Sequence, residues 1–306
     1  MRVSVIILNW NGAVDDCIES VRSAVEQTYA DKEIIFVDNG STNGSFEAVQ
    51  VEFPDLIYLR LEANIGCPGG RNRGAEIATG DILMYLENDG AWGSDDVVSG
   101  AVRMLQHCPD VGALYTRVED YRTGVADPPL DRFGQVRSGA VSSSSFRGGA
   151  SAIRAGLFRQ AGGFPADFVY GGEERFLSWK IYQLGYTVAY WPERTMRHKG
   201  SDYSGKSDIR MQRVFVNDVR TIMRLYPLSW KLWYLPAKLV WYGLRFLRRG
   251  KIKEFCGLVN AVLRASPEPQ GANRLSGRVL WRVNRIRYGL LRRTYPVPAV
   301  DKPRSL

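Results

Sequence analysis

Glu87 and Asp89 end an apolar run in the stretch MYLENDG, Met84 to Gly90. Carboxylate oxygens are hard ligands that suit Mg²⁺ or Mn²⁺, and both ions also take phosphate oxygens. At a strand tip the two residues can hold a metal with a diphosphate, or form a solvated turn that caps a helix. Asp38 closes IIFVDNGST, where a carboxylate can bind a ribose hydroxyl or a base N–H, or make an Asx turn. Glu173 and Glu174 open GGEERFLSWK at a helix start, where their charge is favoured. An adjacent like charge raises a carboxylate pKa, which suits a general base; helix capping is the competing role. His198 in RHKGSDYSG is one of two histidines, the other being His107 in MLQHCPD, which reads as a helix end. His198 is either structural or, with two carboxylates, completes a three-ligand site for Mn²⁺.

NIGCPGGRNRG, residues 64–74, is a glycine-rich turn that opens a helix, with Arg71 and Arg73 expected in its first turn. Cations there oppose the helix dipole, and a bound diphosphate would relieve the conflict and use the free N–H groups. The pattern is neither a P-loop nor GxGxxG.

The elements that position these groups alternate. Strands are expected over 3–10, 32–41, 56–62 and 81–87, and helices over 13–27, about 45–53 and 71–79. Such alternation predicts a mostly parallel sheet with helices on both faces, binding ligands at the carboxyl ends of its strands. Asn9, Asn11, Asp38 and Glu87 to Asp89 all fall at those ends. Residues 142–150, SSSSFRGGA, read as a flexible loop, and 164–193 as loop, acidic helix start, helix, turn at Gly185 and strand.

Charge divides the chain. Residues 227–306 hold seventeen Lys and Arg against Glu254, Glu268 and Asp301, a balance of +14, leaving the first 226 residues at −5 within a total of +9. The segment 227–251 interleaves Lys231, Lys238 and Arg245 with Trp230, Trp233, Tyr234, Trp241, Tyr242 and Phe246, and 278–293 repeats the theme. Aromatics and cations on an amphipathic segment suit an anionic membrane surface, and a helical cap with a solvated basic face is the alternative. Pro236 is expected to kink or divide the first helix. No reader motif supports nucleic acid. No charge-free run is long enough to cross a bilayer, MRVSVIILNW reads as a strand, not a signal peptide, and four widely spaced cysteines fit a reducing compartment.

In this order and spacing, VSVIILNWNG, IIFVDNGSTNGS, NIGCPGGRNRGAEIATGDILMYLENDG, GGFPADFVYGGEERFLSWKIYQLGY and HKGSDYSG resemble the family 2 glycosyltransferases, over about Val3 to Ser204. The nearest likeness is to the rhamnosyl- and galactofuranosyl-transferase-like branch. The resemblance implies a GT-A fold, a Rossmann-like mostly parallel sheet, over 1–226, with a nucleotide-sugar half at 1–90 and an acceptor half at 91–226. A basic helical region over 227–306 would follow. It implies Asp38 at the nucleoside with backbone near Asn9 and Asn11, Arg71 and Asn72 near the nucleotide, and Glu87 and Asp89 at the DxD positions. Asp89 would hold Mn²⁺ or Mg²⁺, Glu87 would face ribose or metal, and His198 would be the later metal ligand. Glu174 is the implied base, with Glu173 its rival.

Three residues depart from the family pattern: Glu87 and Glu174 stand where Asp is usual, and Phe176 replaces the second Asp of EDxDL. QxxRW is absent, which favours single addition. The implied reaction is inverting transfer from a nucleoside-diphosphate sugar to a hydroxyl, plausibly of a lipid-linked glycan in cell-envelope polysaccharide synthesis, at the cytoplasmic face of the plasma membrane. The alternatives are a catalytically silent nucleotide-sugar or glycan-binding protein and a nucleotidyltransferase, though LNWNGAVDD lacks the lysine the latter needs.

Overall fold

Runs with apolar centres form the central strands, and strand–helix alternation makes neighbouring strands parallel. In a computed structural model, residues 1–131, 136, 139–200, 207–265 and 274–296 are described. The first half runs β1 (Val3–Asn9), α1 (Val14–Val25), β2 (Lys32–Asp38), α2 (Ser45–Glu52), β3 (Ile57–Arg60), α3 (Cys67–Ile77) and β4 (Ile82–Glu87). Strands β3, β2, β1 and β4 lie side by side and parallel. Next come β5 (Gly90–Trp92), α4 (Val97–His107), β6 (Val111–Asp120), β7 (Ala140–Ser143), β8 (Ala150–Arg154) and α5 (Ala155–Ala161). A 3₁₀ turn at Ala166–Phe168 precedes α6 (Glu173–Gln183) and β9 (Thr187–His198). β8 enters antiparallel between β4 and β6, so the sheet is mixed beyond β4.

Side chains alternate across this sheet with period two. Val3, Val5, Ile7, Phe36, Met84 and Leu86 face one core, shared with α1, α2 and α4. Ile6, Ile35, Val37, Leu83 and Tyr85 face a second, under α3, α5 and α6. Each such side chain contributes roughly 1.5–3 kcal/mol when removed from water, so a one-residue slip in any central strand would be costly. In the observed register Asn9 sits opposite Asp38, and Leu8 opposite Glu87. Three polar strand tips therefore share one edge.

Three local expectations are corrected. α3 begins at Cys67, with Pro68 in its first turn, so Arg71 lies one turn inside the helix and not at its exposed start. Residues 142–150 are not a free loop: Ser142 and Ser143 belong to β7, Ala150 opens β8, and the Ser143 and Ser144 hydroxyls donate to buried Asp131. α8 (Leu228–Leu247) continues through Pro236 without a break. Proline's missing N–H costs one helical bond, which the helix tolerates at an exposed position.

α7 (Ser207–Leu225), α8 and α9 (Ile252–Ala265) pack on one another around Phe215, Tyr242, Phe246 and Val262. α10 (Gly277–Arg287) then returns to the second core through Leu280, Val283 and Ile286. β10 (Thr294–Tyr295) closes the sheet edge, antiparallel to β7. The basic segment is thus joined to the sheet at both ends: Tyr226 and Tyr295 are both buried. Among the described residues no helix is long and apolar enough to cross a membrane.

Candidate active site

Asn9 and Asp38 end β1 and β2 fully buried. The Asn9 amide donates to Asp38 Oδ1 at 3.1 Å, to Ser41 Oγ at 3.2 Å and to Ser45 Oγ at 2.8 Å. Asp38 Oδ2 accepts the Ser41 N–H at 3.0 Å. Asn11 sits at a φ of 50°; its N–H donates to Ser41 Oγ and its Oδ1 accepts from the Thr42 N–H, each at 2.8 Å. These residues brace the two loops, with the Asp38 carboxylate fully buried in the network. Asn72 is likewise engaged: its amide donates to the Phe164 carbonyl at 2.8 Å and accepts the Phe164 N–H at 3.0 Å. It clamps the loop before the 3₁₀ turn.

Asn88, which the sequence offers only as a spacer between two acids, donates to Asn9 Oδ1 at 2.9 Å. It ties the β4 tip to the β1 loop and thereby turns Glu87 and Asp89 to its two sides. Trp10, at the mouth of the same loops, is half exposed; a large aromatic directly after a core strand was the signal for it.

On one side of the tip, Arg71 Nη2 donates to Glu87 Oε1 at 2.8 Å. Arg71 is 3% exposed, and its Nη1 lies 3.8 Å from Glu173 Oε1 and 4.0 Å from Glu174 Oε1. One buried cation thus faces three carboxylates. The Glu87 carboxylate pairs with Arg71 through Oε1, and among the described residues no three His, Cys, Asp or Glu side chains gather as a ligand set. Gly148 and Gly149 make the close packing feasible. A Cβ on Gly148 would lie 2.2 Å from Arg71 Nη1, and one on Gly149 2.1 Å from Glu87 Cγ.

On the other side, Asp89 Oδ1 lies 3.1 Å from His198 Nε2. β5 pairs with β9 so that Gly90 faces His198, and the Lys199 N–H donates to the Asp89 carbonyl at 2.9 Å. The backbone therefore holds the two side chains together. The hydrogen bond to Asp89 raises the His198 pKa above its usual value, against burial. A carboxylate and an imidazole, both partly exposed, fit two positions of a Mn²⁺ or Mg²⁺ site whose other positions go to phosphate and water. Ser201 to Lys206, the rest of the glycine-rich segment after His198, lie outside the described residues.

α6 starts at Glu173, and the pair divides. Glu173 is 2% exposed and burial pushes its carboxyl up to about 8, aided by Glu174 and opposed by Arg71. Glu174 keeps a quarter of its side chain exposed. Asn217 of α7 fixes the preceding loop by donating to the carbonyls of Phe168, Tyr170 and Gly171, at 2.9, 3.2 and 2.6 Å. Phe176 stacks edge-on against Phe168, ring centroids 5.5 Å apart, which gives its departure from EDxDL a packing reason.

The buried acid has a measurable consequence. Between pH 4.5 and about 8 the folded chain keeps a Glu173 proton that the unfolded chain has lost, so stability falls as pH rises through that window. Glu173→Gln mimics the neutral acid and lacks this term. Its melting temperature relative to the parent should be near parity at pH 4.5, rise up to pH 8 and then level off. A constant difference across that range would remove the buried-acid assignment.

A mostly parallel sheet flanked by helices thus carries an Asp–His pair and a partly exposed carboxylate beyond its strand ends, the architecture of an α/β ligand-binding fold. The glycosyl transferase family 2 profile matches residues 4–162, and the chain belongs to that family. An uncharacterized glycosyltransferase of Nostoc sp. (strain PCC 7120) is 38% identical over 118 residues, 38% of this chain and 36% of the relative. Polypeptide N-acetylgalactosaminyltransferase 5 of Caenorhabditis elegans is 27% identical over 265 residues, 72% of this chain and 42% of the relative. The chain thus spans about two fifths of the length of these curated relatives. Among solved structures, a mannosyltransferase of Pyrobaculum calidifontis in complex with GDP-mannose and Mn²⁺ superposes with a TM-score of 0.60 at 24% identity, covering 89% of this chain and 77% of that one. The fold is GT-A.

Proposed function

We propose that the chain is a metal-dependent, inverting, single-addition glycosyltransferase that moves a hexosyl-type sugar from a nucleoside-diphosphate sugar to an acceptor hydroxyl. The observation that carries this reading is Glu174, a partly exposed carboxylate linked through Arg71 to the strand tip that bears Asp89. Glu174 takes the acceptor proton, the freed oxygen bonds to the anomeric carbon, and the bond from that carbon to the diphosphate breaks, leaving its electron pair on the nucleoside diphosphate. Asp89 and His198 would hold Mn²⁺ or Mg²⁺, which when bound offsets the charge of the leaving diphosphate. Arg71 holds Glu87 and the acidic pair in register and keeps positive charge beside the leaving group. Trp10 offers an aromatic face to the base. The rhamnosyl- and galactofuranosyl-transferase-like branch is the proposed subgroup. A screen of nucleoside-diphosphate sugars with Mn²⁺ should raise the melting temperature for one base and sugar class; no shift with any donor, with or without Mn²⁺, would reject the proposal.

We also propose a lipid-linked glycan acceptor in envelope polysaccharide synthesis, met at the inner face of the plasma membrane. On α8 the residues Leu232, Trp233, Trp241 and Leu244 are exposed, with Arg245 4.6 Å from the Trp241 ring centroid. An apolar face bordered by cations suits the headgroup region of an anionic bilayer. Removing residues 227–306 would strip β10 and α10 from the core, so the test keeps the full chain. Trp233→Ser with Trp241→Ser should lower co-sedimentation with anionic liposomes about tenfold, each aromatic anchor supplying roughly 0.5–1 kcal/mol or more at the interface. Unchanged binding would reject the membrane assignment.

A further inference from the structure

Glu174 faces Arg71, and the next residue serves another side of α6. The Arg175 guanidinium pairs with Asp218 of α7. Beside this pair lies a hollow of about 10 Å³, lined by Arg175, Trp179, Asp218, Tyr226, Lys238 and Arg287. Four helices meet there: α6, α7, α8 and α10.

The charges around the hollow do not balance. Asp218 is its only lining carboxylate, and its oxygens are occupied. Oδ1 takes Arg175, and Oδ2 takes the Tyr242 hydroxyl at 2.8 Å and Lys238 Nζ at 3.4 Å. Three cations thus share one anion. No carboxylate of the described residues pairs with Arg287. Trp179, 3% exposed, also lines the hollow, and its indole N–H has no hydrogen-bond partner. Burial pushes the Lys238 ammonium below its usual range despite Asp218, with Arg287 and Arg175 adding to the effect. Excess positive charge among half-buried cations and an unmet buried donor both favour an anion that offsets them. The hollow has room for one oxygen-sized group.

We propose that this hollow is a phosphate site, in which a phosphomonoester or diphosphate seats one oxygen among Arg175, Lys238 and Arg287. Guanidinium pairs and an ammonium are the side chains that recognise phosphate. The site stands apart from the Asp89–His198 edge and does not depend on the transfer reaction. Because Arg175 follows Glu174 directly, an anion here bears on the start of the catalytic helix. Because Lys238 belongs to α8, it also bears on the helix proposed to meet the bilayer. The phosphate can come from a lipid headgroup or from a soluble ester.

The test uses the full chain in EDTA, so that no divalent ion anchors phosphate at Asp89 and His198. Inorganic phosphate, against sodium chloride of equal ionic strength, should raise the melting temperature of the parent in a saturable way. Arg287→Gln, a half-exposed position on α10, should weaken the apparent affinity at least tenfold while its melting temperature in chloride stays near that of the parent. Arg287→Lys should restore part of the response, and Arg22→Gln on α1 should leave it intact. Vesicles of phosphatidylcholine carrying phosphatidic acid or phosphatidylserine separate the sources. An Arg287-dependent preference for phosphatidic acid identifies a lipid monoester, and equal vesicle binding with a retained phosphate response identifies a soluble ester. No saturable rise in the parent, or an equal rise in Arg287→Gln, overturns the proposal. Glu174→Gln should keep the phosphate response, so failure of the transfer assignment and failure of this one are read separately.

Discussion

Glu174→Gln is expected to lower the transfer rate by about 10²–10⁴-fold, the usual contribution of a positioned general base. Donor affinity should stay within about twofold, since the amide keeps the size of the carboxylate and loses only the ability to accept a proton. The choice of Glu174 over Glu173 rests on two features. Glu174 is exposed to an incoming hydroxyl, whereas Glu173 is sealed. Burial also keeps Glu173 protonated up to about pH 8, and a protonated acid has no vacancy for the acceptor proton. Glu173→Gln should accordingly retain most of its turnover at pH 7. Steady-state kcat for both variants, with donor binding measured separately, decides the matter. The opposite pattern would transfer the role to Glu173, and full turnover in both would remove the base from this helix.

Asp89→Ala is the second large effect. The variant loses one of the two side chains that the β5–β9 pairing holds together, and His198 alone cannot orient a divalent ion with a diphosphate. Transfer should fall by at least about 10³-fold, the scale on which loss of one preorganised electrostatic contact acts in an active site, and the Mn²⁺-dependent part of the donor's stabilisation should vanish. The fold should persist, because the Lys199 N–H bond to the Asp89 carbonyl and the β5–β9 register are backbone features. Calorimetric titration of donor with and without Mn²⁺ reads this directly. Metal-dependent donor binding in Asp89→Ala equal to that of the parent would falsify the assignment.

The alternating strands and helices of residues 3–87 were legible because each strand has a short apolar centre with charged or turn residues only at its ends. The edge on which the polar tips meet followed from the parallel topology alone. What the sequence could not show was which polar groups are spent internally. Asp38, Asn9 and Asn72 have the chemistry of a ligand site, yet their hydrogen bonds are closed by Ser41, Ser45 and the Phe164 backbone, partners supplied by loops whose paths have no local signal. Asn88 carried no signal either, since its partner Asn9 lies 79 positions away. Arg71 was assigned to a helix start because the glycines before it resemble a loop, whereas Pro68 in fact opens the helix a turn earlier. Asp89 and His198 stand out in the sequence as separate metal-ligand candidates, while the three-residue strand that brings them together is too short to read.

The edge strand β10 bears on how this chain is made. Thr294 and Tyr295 pair with Val141 and Ala140, partners that leave the ribosome about 150 residues earlier. At the usual 5–20 residues per second, that interval lasts on the order of ten seconds. For that time β7 presents an unpaired border of backbone N–H and C=O groups, the kind of border that invites association between nascent chains. The parallel strands β1 to β3 have all their partners within the first 87 residues, and β4 waits only for β8 at Ala150–Arg154. Synthesis therefore orders assembly from the β3 edge outward, and chains that stop before Tyr295 should lose yield through aggregation more than through proteolysis.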